Sequence, residues 1–152
     1  MAAGARRGRP ARWPHIHLTP YQVAPILGLM GSPRHPQVAE WLINLDDASR
    51  AEVDEALSYL EEHGRGAALP DVRHRIQTSR HFPDMSEVRV TIDDEHVYRV
   101  LVGFGPNAQV VLLLAGNKAG SGNRWYDVNV PVADTRFDTY LTALAKSKEE
   151  PR

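Results

Sequence analysis

From Pro36 onward the apolar positions follow two periods, first helical and then strand-like. Val38, Trp41, Leu42 and Leu45 share one helical face, and Pro36 suits a first helical position. Asp46 or Asp47 can cap a second helix, in which Val53, Ala56, Leu57 and Leu60 recur at i, i+3, i+4 and i+7. Gly64 then supplies a left-handed stop, so the pattern predicts a helix hairpin. Residues 65–84 read as a loop-rich connection containing Gly66, Pro70 and Pro83. In 85–92 the apolar Val88, Val90 and Ile92 alternate with Glu87, Arg89 and Thr91, as in a half-exposed strand. A second strand is expected at 97–104. A third at 109–118 is almost continuously apolar, hence the most buried. Short turns between them predict an antiparallel meander. Gly116 to Asn123 carries three glycines without periodicity and reads as a flexible loop. Pro131 should open a last helix, 131–145, with Ala133, Phe137, Tyr140, Leu141 and Leu144 on one face. The expectation is an α+β layer of at least three antiparallel strands, helices on one face and the other face free.

The flanks look different. Residues 1–14 are Ala, Gly, Pro and Arg with one aromatic, a composition that predicts a disordered basic tail. Residues 15–35 read as a variable extension, 36–146 as the folded domain, and 147–152 as a frayed end. Charge is uneven although the net is −1: residues 1–35 hold five arginines and no acid, whereas 38–63 hold eight acids against Arg50 alone. A basic working face opposite an acidic one is therefore compatible with a neutral total. The chain has no cysteine, which excludes disulfides, thiolate ligands and thiol nucleophiles. Val110–Ala115 is too short an apolar run to span a bilayer, and Pro20, Pro25, His15 and His17 interrupt any signal-like stretch. These features place the expectation in the cytoplasm, without membrane association.

Candidate chemistry concentrates on the free sheet face. Arg89 and Arg99 lie mid-strand and Lys118 ends the third strand. Charges there need a partner or an anion. One reading pairs Glu87 with Arg89 or Arg99 across the sheet. The other lets the three basic groups converge on a phosphodiester. His81, beside Arg80, has the residue type of a general acid or base. Arg124, Trp125 and Tyr126 follow the glycine loop and could stack unpaired bases, or one ring could cover the sheet edge. His15, His17, His74 and His81 lack a carboxylate at zinc-like spacing, so neither a metal site nor another cofactor is expected.

Four motifs occur in order: SRHFPDMSEVRV, VYRVLVGF, the strand end GNKAG, and NRWYDVNVPVADTRFDTYL. Together with the helix EWLINLDDASRAEVDEALSYLEEHG they resemble the phage-derived HigB-like branch of the RelE/ParE toxin superfamily over about residues 38–145. Ser86 and Asn117 stand where lysine and aspartate are frequent in that branch. The resemblance implies a microbial-RNase-like core with an N-terminal helix hairpin, a twisted antiparallel sheet and a C-terminal helix. It implies metal-independent, ribosome-dependent cleavage of mRNA that inhibits translation, and neutralisation by a helix-turn-helix antitoxin in a higher-order complex. Carried over residue by residue, Arg89 and Arg99 match the family's paired strand arginines, Lys118 its basic strand-end residue, and Arg80, His81 and Glu87 the stretch before and within the first of these strands. In a mechanism of this kind Arg89 and Arg99 would stabilise the pentavalent phosphate, Lys118 would hold the backbone or take the 2′ proton, and His81 or Tyr126 would serve the leaving oxygen, with Arg80, Glu87, Arg124 and Trp125 as candidate RNA-binding residues. Two alternatives stand beside this one: a ParE-like gyrase inhibitor without nuclease activity, and an inactive relative that only binds its antitoxin.

Overall fold

The computed structural model describes residues 32–149; the expectations for the basic tail 1–14, for 15–31 and for 150–152 lie outside them. Helix α1 (Pro36–Ile43) and helix α2 (Asp47–His63) form the expected hairpin. The strands β1 (Val72–Arg73), β2 (Met85–Asp93), β3 (His96–Phe104) and β4 (Val110–Asn117) follow, and helix α3 (Arg124–Glu149) closes the described chain. The sheet order is β1-β2-β3-β4 with every neighbouring pair antiparallel.

Local chemistry sets the hairpin. The His35 ring accepts from the Gln37 amide ahead of Pro36 at the start of α1. Asp46, rather than Asp47, caps α2 by accepting from the Ser49 amide at 3.1 Å. Gly64 takes φ 54°, open to glycine at little cost, but with ψ −129° it leads into a 3₁₀ turn instead of a left-handed cap.

The expectation of helices on one face only is corrected. The hairpin packs Val38, Leu42, Val53, Leu57 and Leu60 on Val88, Val90, Val100, Val102 and Leu112. On the opposite face α3 lays Trp125, Val130, Ala133 and Phe137 on Met85, Leu101, Val111 and Leu113. Three layers result, with two hydrophobic cores and the sheet between them. Each fully buried Leu or Phe contributes about 1.5–3 kcal/mol relative to exposure, so neither core can be dispensed with. The continuous apolar run of β4 follows from this geometry, because it is covered on both sides. A bulge opposite Leu101 and Val102 inserts Leu113 as an extra residue; Leu112 thereby serves the first core and Leu113 and Leu114 the second.

The start of α3 is also corrected. It begins at Arg124, and Pro131 lies inside it instead of opening it. Proline removes one helical hydrogen bond. Burial of Trp125, Val130, Ala133 and Phe137 on the sheet offsets that loss. The Asn129 side chain also donates to the carbonyl of Trp125 at 2.8 Å. At the other end, helix continues to Glu149, past the expected fray point. Gly103 lets α3 approach: a Cβ there would stand 2.7 Å from the Phe137 ring.

Residues 32–35, expected in a variable extension, belong to the fold. Leu112 N–H donates to Pro33 O and His35 N–H to Leu112 O, a parallel bridge on the outer edge of β4. The Gln37 amide continues it by donating to Ala115 O and accepting from Ala115 N–H. This edge is thus closed to other strands. No helix among the described residues is long and apolar enough to cross a membrane.

Candidate active site

α3 crosses only part of its sheet face. It enters with Trp125 against Gly116, where an added Cβ would sit 3.4 Å from the indole, and leaves one end of the face to polar groups. Register brings them together. Glu87 on β2 stands opposite Arg73 on β1, and Arg99 on β3 is one step along. Tyr126 in the first turn of α3 reaches them from above, and Lys118 borders the group from the end of β4.

Glu87 is the hub and has no exposure. Its Oε2 accepts from Arg73 Nε at 2.5 Å, and its Oε1 accepts from the Tyr126 hydroxyl at 2.8 Å. Arg99 Nε lies 3.4 Å from both Oε1 and the Tyr126 oxygen, while its Nη1 donates to Tyr98 O at 2.9 Å. Such charge-assisted bonds are what make a buried carboxylate tolerable. The Arg99 side chain is 5% exposed, beneath Tyr126, whereas that of Arg73 is 44% exposed. The Arg73 guanidinium and the Lys118 ammonium lie 5.5 and 5.7 Å from the centre of the Tyr126 ring. Burial, the largest influence, pushes the Tyr126 hydroxyl above the ordinary phenol range; the Arg99 hydrogen bond works against this and Glu87 adds to it. The phenol therefore holds its proton at neutral pH and donates it.

Arg89 pairs with Arg99 in register and stands two residues from Glu87, so alternation puts its side chain on the same face; its Nε is buried without a hydrogen-bond partner among the described residues. The same stretch of β2 also borders a cleft with Glu52, Glu55 and Asp71 on the hairpin side. The remaining candidate residues fall elsewhere. His81 and Arg80 both bind Asp138 of α3, at 2.7 and 2.8 Å, and the His81 ring packs on Phe137. Ser79 Oγ and the Arg80 amide are held by Asp134. The S-R-H stretch thus fastens the connection 76–84 to α3, apart from the Glu87 group. Trp125 is buried in the second core, and Arg124 is exposed at the head of α3. Asn117 ties the end of β4 to the β2–β3 turn, accepting from Val97 N–H and donating to Glu95 O. Ser86, on the hairpin face, is held by His74 at 2.7 Å. Among the described residues no group of three His, Asp or Glu stands close enough to hold a metal ion.

Arg73 was missed by sequence reasoning. A two-residue strand has no period to detect, and Val72-Arg73-His74-Arg75 sits within a stretch rich in glycine and proline. The available signal was its alternation of one apolar and one basic residue.

The family model described as phage derived protein Gp49-like (DUF891) matches residues 40–138. The protein named "Putative toxin HigB3" of Mycobacterium tuberculosis (strain ATCC 25618 / H37Rv) is 37% identical over 108 residues, 71% of this chain and 90% of that protein. "Putative toxin HigB2" of the same strain is 34% identical over 116 residues, 76% of this chain but 57% of that longer protein. No solved structure matches the chain. The chain belongs to the phage-derived Gp49-like family, within the HigB-like branch of the RelE superfamily.

Proposed function

We propose that this chain is the toxin of a type II toxin–antitoxin pair, a metal-independent endoribonuclease that cuts mRNA on the ribosome and so stops translation in the cytoplasm. The observation that carries the reading is the meeting of Tyr126, Arg99 and Glu87, with Lys118 on the rim, at the end of the sheet face under the first turn of α3. RNA supplies its own nucleophile. The ribose 2′ oxygen attacks the adjacent phosphorus and the bond to the 5′ oxygen breaks, leaving a 2′,3′-cyclic phosphate and a 5′-hydroxyl. Water takes the 2′ proton, and Tyr126 gives its proton to the departing 5′ oxygen. Arg99, donating to the Tyr126 oxygen, stabilises the phenolate that forms, and Lys118 holds the phosphate. Arg89, beside Arg99 in register, adds positive charge along the same strands, and exposed Arg124 lies close in sequence to Tyr126. His81 is engaged by Asp138, which favours Tyr126 over His81 as the acid.

The Gp49-like family and the toxin names of the relatives support the pairing with an antitoxin, for which we propose a helix-turn-helix protein. One observation favours a second reading: Glu87 already neutralises Arg99 in a buried pair, as a purely structural cluster would. A single experiment separates the two. Purified protein added to ribosomes translating a defined message should yield fragments with 2′,3′-cyclic phosphate ends, while DNA gyrase supercoiling continues unaffected. Intact message together with gyrase inhibition, or with neither effect, would overturn the nuclease reading.

A further inference from the structure

The geometry points to Arg73 as a phosphate-binding residue of this site, fixed in place by Glu87 acting as a positioning residue. The inference rests on the RNA-cutting reading above and adds a contact to it. β1 has only two residues: Val72 is buried in the hairpin core, and Arg73 turns the other way, onto Glu87. The strand therefore anchors with one side chain and delivers the other. Arginine carries five N–H donors in a rigid fork. Glu87 engages Nε at 2.5 Å, while 44% of the side chain stays exposed, so the outer part of the fork faces solvent in a fixed orientation.

Arg99 cannot take this role in the same way. Its side chain is nearly covered by Tyr126, and Nη1 is already bonded to Tyr98 O. Charge also argues for an incoming anion. One carboxylate, Glu87, faces Arg73 and Arg99, with Lys118 against the same tyrosine ring. Arg99 alone would balance Glu87, so Arg73 and Lys118 leave the group with surplus positive charge. Both border the ring whose hydroxyl the proposed mechanism uses to protonate the leaving oxygen. A phosphodiester laid across Tyr126 would meet both cations.

Three variants test the assignment: Arg73→Ala, Arg73→Lys, and the double variant Arg73→Ala with Glu87→Gln. The double variant removes the stranded buried carboxylate, so folding and phosphate binding are read separately. Each is assayed for mRNA cleavage on ribosomes, and by anisotropy with a fluorescent single-stranded RNA across a potassium chloride series. Arg73→Ala should lower kcat/KM about 10- to 100-fold, mostly through KM. The slope of log affinity against log salt should become shallower by about 0.7, one phosphate contact on a single strand. Lysine should restore the slope but only part of the rate. The double variant should melt close to the wild type and remain impaired. If the double variant instead regains wild-type cleavage and salt slope, Arg73 is only a counterion to Glu87 and the assignment falls. A wild-type protein that leaves message intact sinks the nuclease reading itself, a result distinct from active wild type with Arg73 variants equally active.

Discussion

The two faces of the sheet are built on different terms. Under the helix hairpin, β2 and β3 present Val88, Val90, Val100 and Val102, and α2 answers with Val53, Leu57 and Leu60. That face is apolar apart from Ser86 near one end, which His74 satisfies. Under α3, the same strands present Met85 and Leu101 at one end but Glu87 and Arg99 at the other. The helix seals the apolar half with Phe137 and Trp125, and its first turn sets Tyr126 over the charged half. Alternation along a strand makes this division possible: residues that are neighbours in sequence serve opposite faces, so a reactive cluster can be built without weakening the hairpin core. The lesson is that stability and chemistry share strands here but not faces.

The sharpest way to break the comparison is to empty the charged half of its carboxylate. Glu87→Ala removes the partner of Arg73 and Arg99 and should cost about 3–5 kcal/mol, read by thermal or denaturant unfolding. A loss below about 1 kcal/mol would mean that the cluster contributes little to the fold. Lys118→Ala should do the reverse, leaving the melting temperature nearly unchanged while slowing mRNA cleavage about 100-fold or more. Equal loss of stability and rate would assign Lys118 to the fold. On the sealed half, Gly103→Ala drives a methyl into the Phe137 ring and should destabilise by about 1–3 kcal/mol. Phe137→Leu in the same chain should recover part of that, since the ring is the obstacle.

The smallest expected effect concerns the clasp between the connection 76–84 and α3. The Arg80 hydrogen bond, then that of His81, holds the Asp138 carboxyl below the usual carboxylate range. A carboxylate lowered in the folded state adds stability above its unfolded pKa, about 3.9, and loses it as pH falls through the folded value. Asp138→Asn should therefore melt slightly below the wild type at neutral pH, with the gap closing below about pH 4. A gap that widens in acid would contradict the clasp.

Periodicity, with Pro36 and Gly64 as punctuation, determined the hairpin and the three long strands, because burial on one face imposes a repeat that a single segment displays; the short turns between the strands gave their antiparallel order. An aspartate cap at 46 or 47, which the structure settles at Asp46, and the apolar face of α3 from Ala133 to Leu144 were equally local signals. The resemblance carried by the S-R-H, strand and N-R-W-Y motifs identified the family. Contacts between distant segments were not legible. β1 is too short for a period, so Arg73 was invisible. Pro131 looked like a beginning, because the packing that holds the preceding turn helical comes from the sheet and not from the sequence around it. The motif S-R-H looked chemical, but Asp134 and Asp138, more than 50 residues away in the chain, bind it to α3. Only the tertiary structure decided which charges meet. Side-chain type gives the chemistry a residue is capable of, while register, helix placement and burial give it a partner.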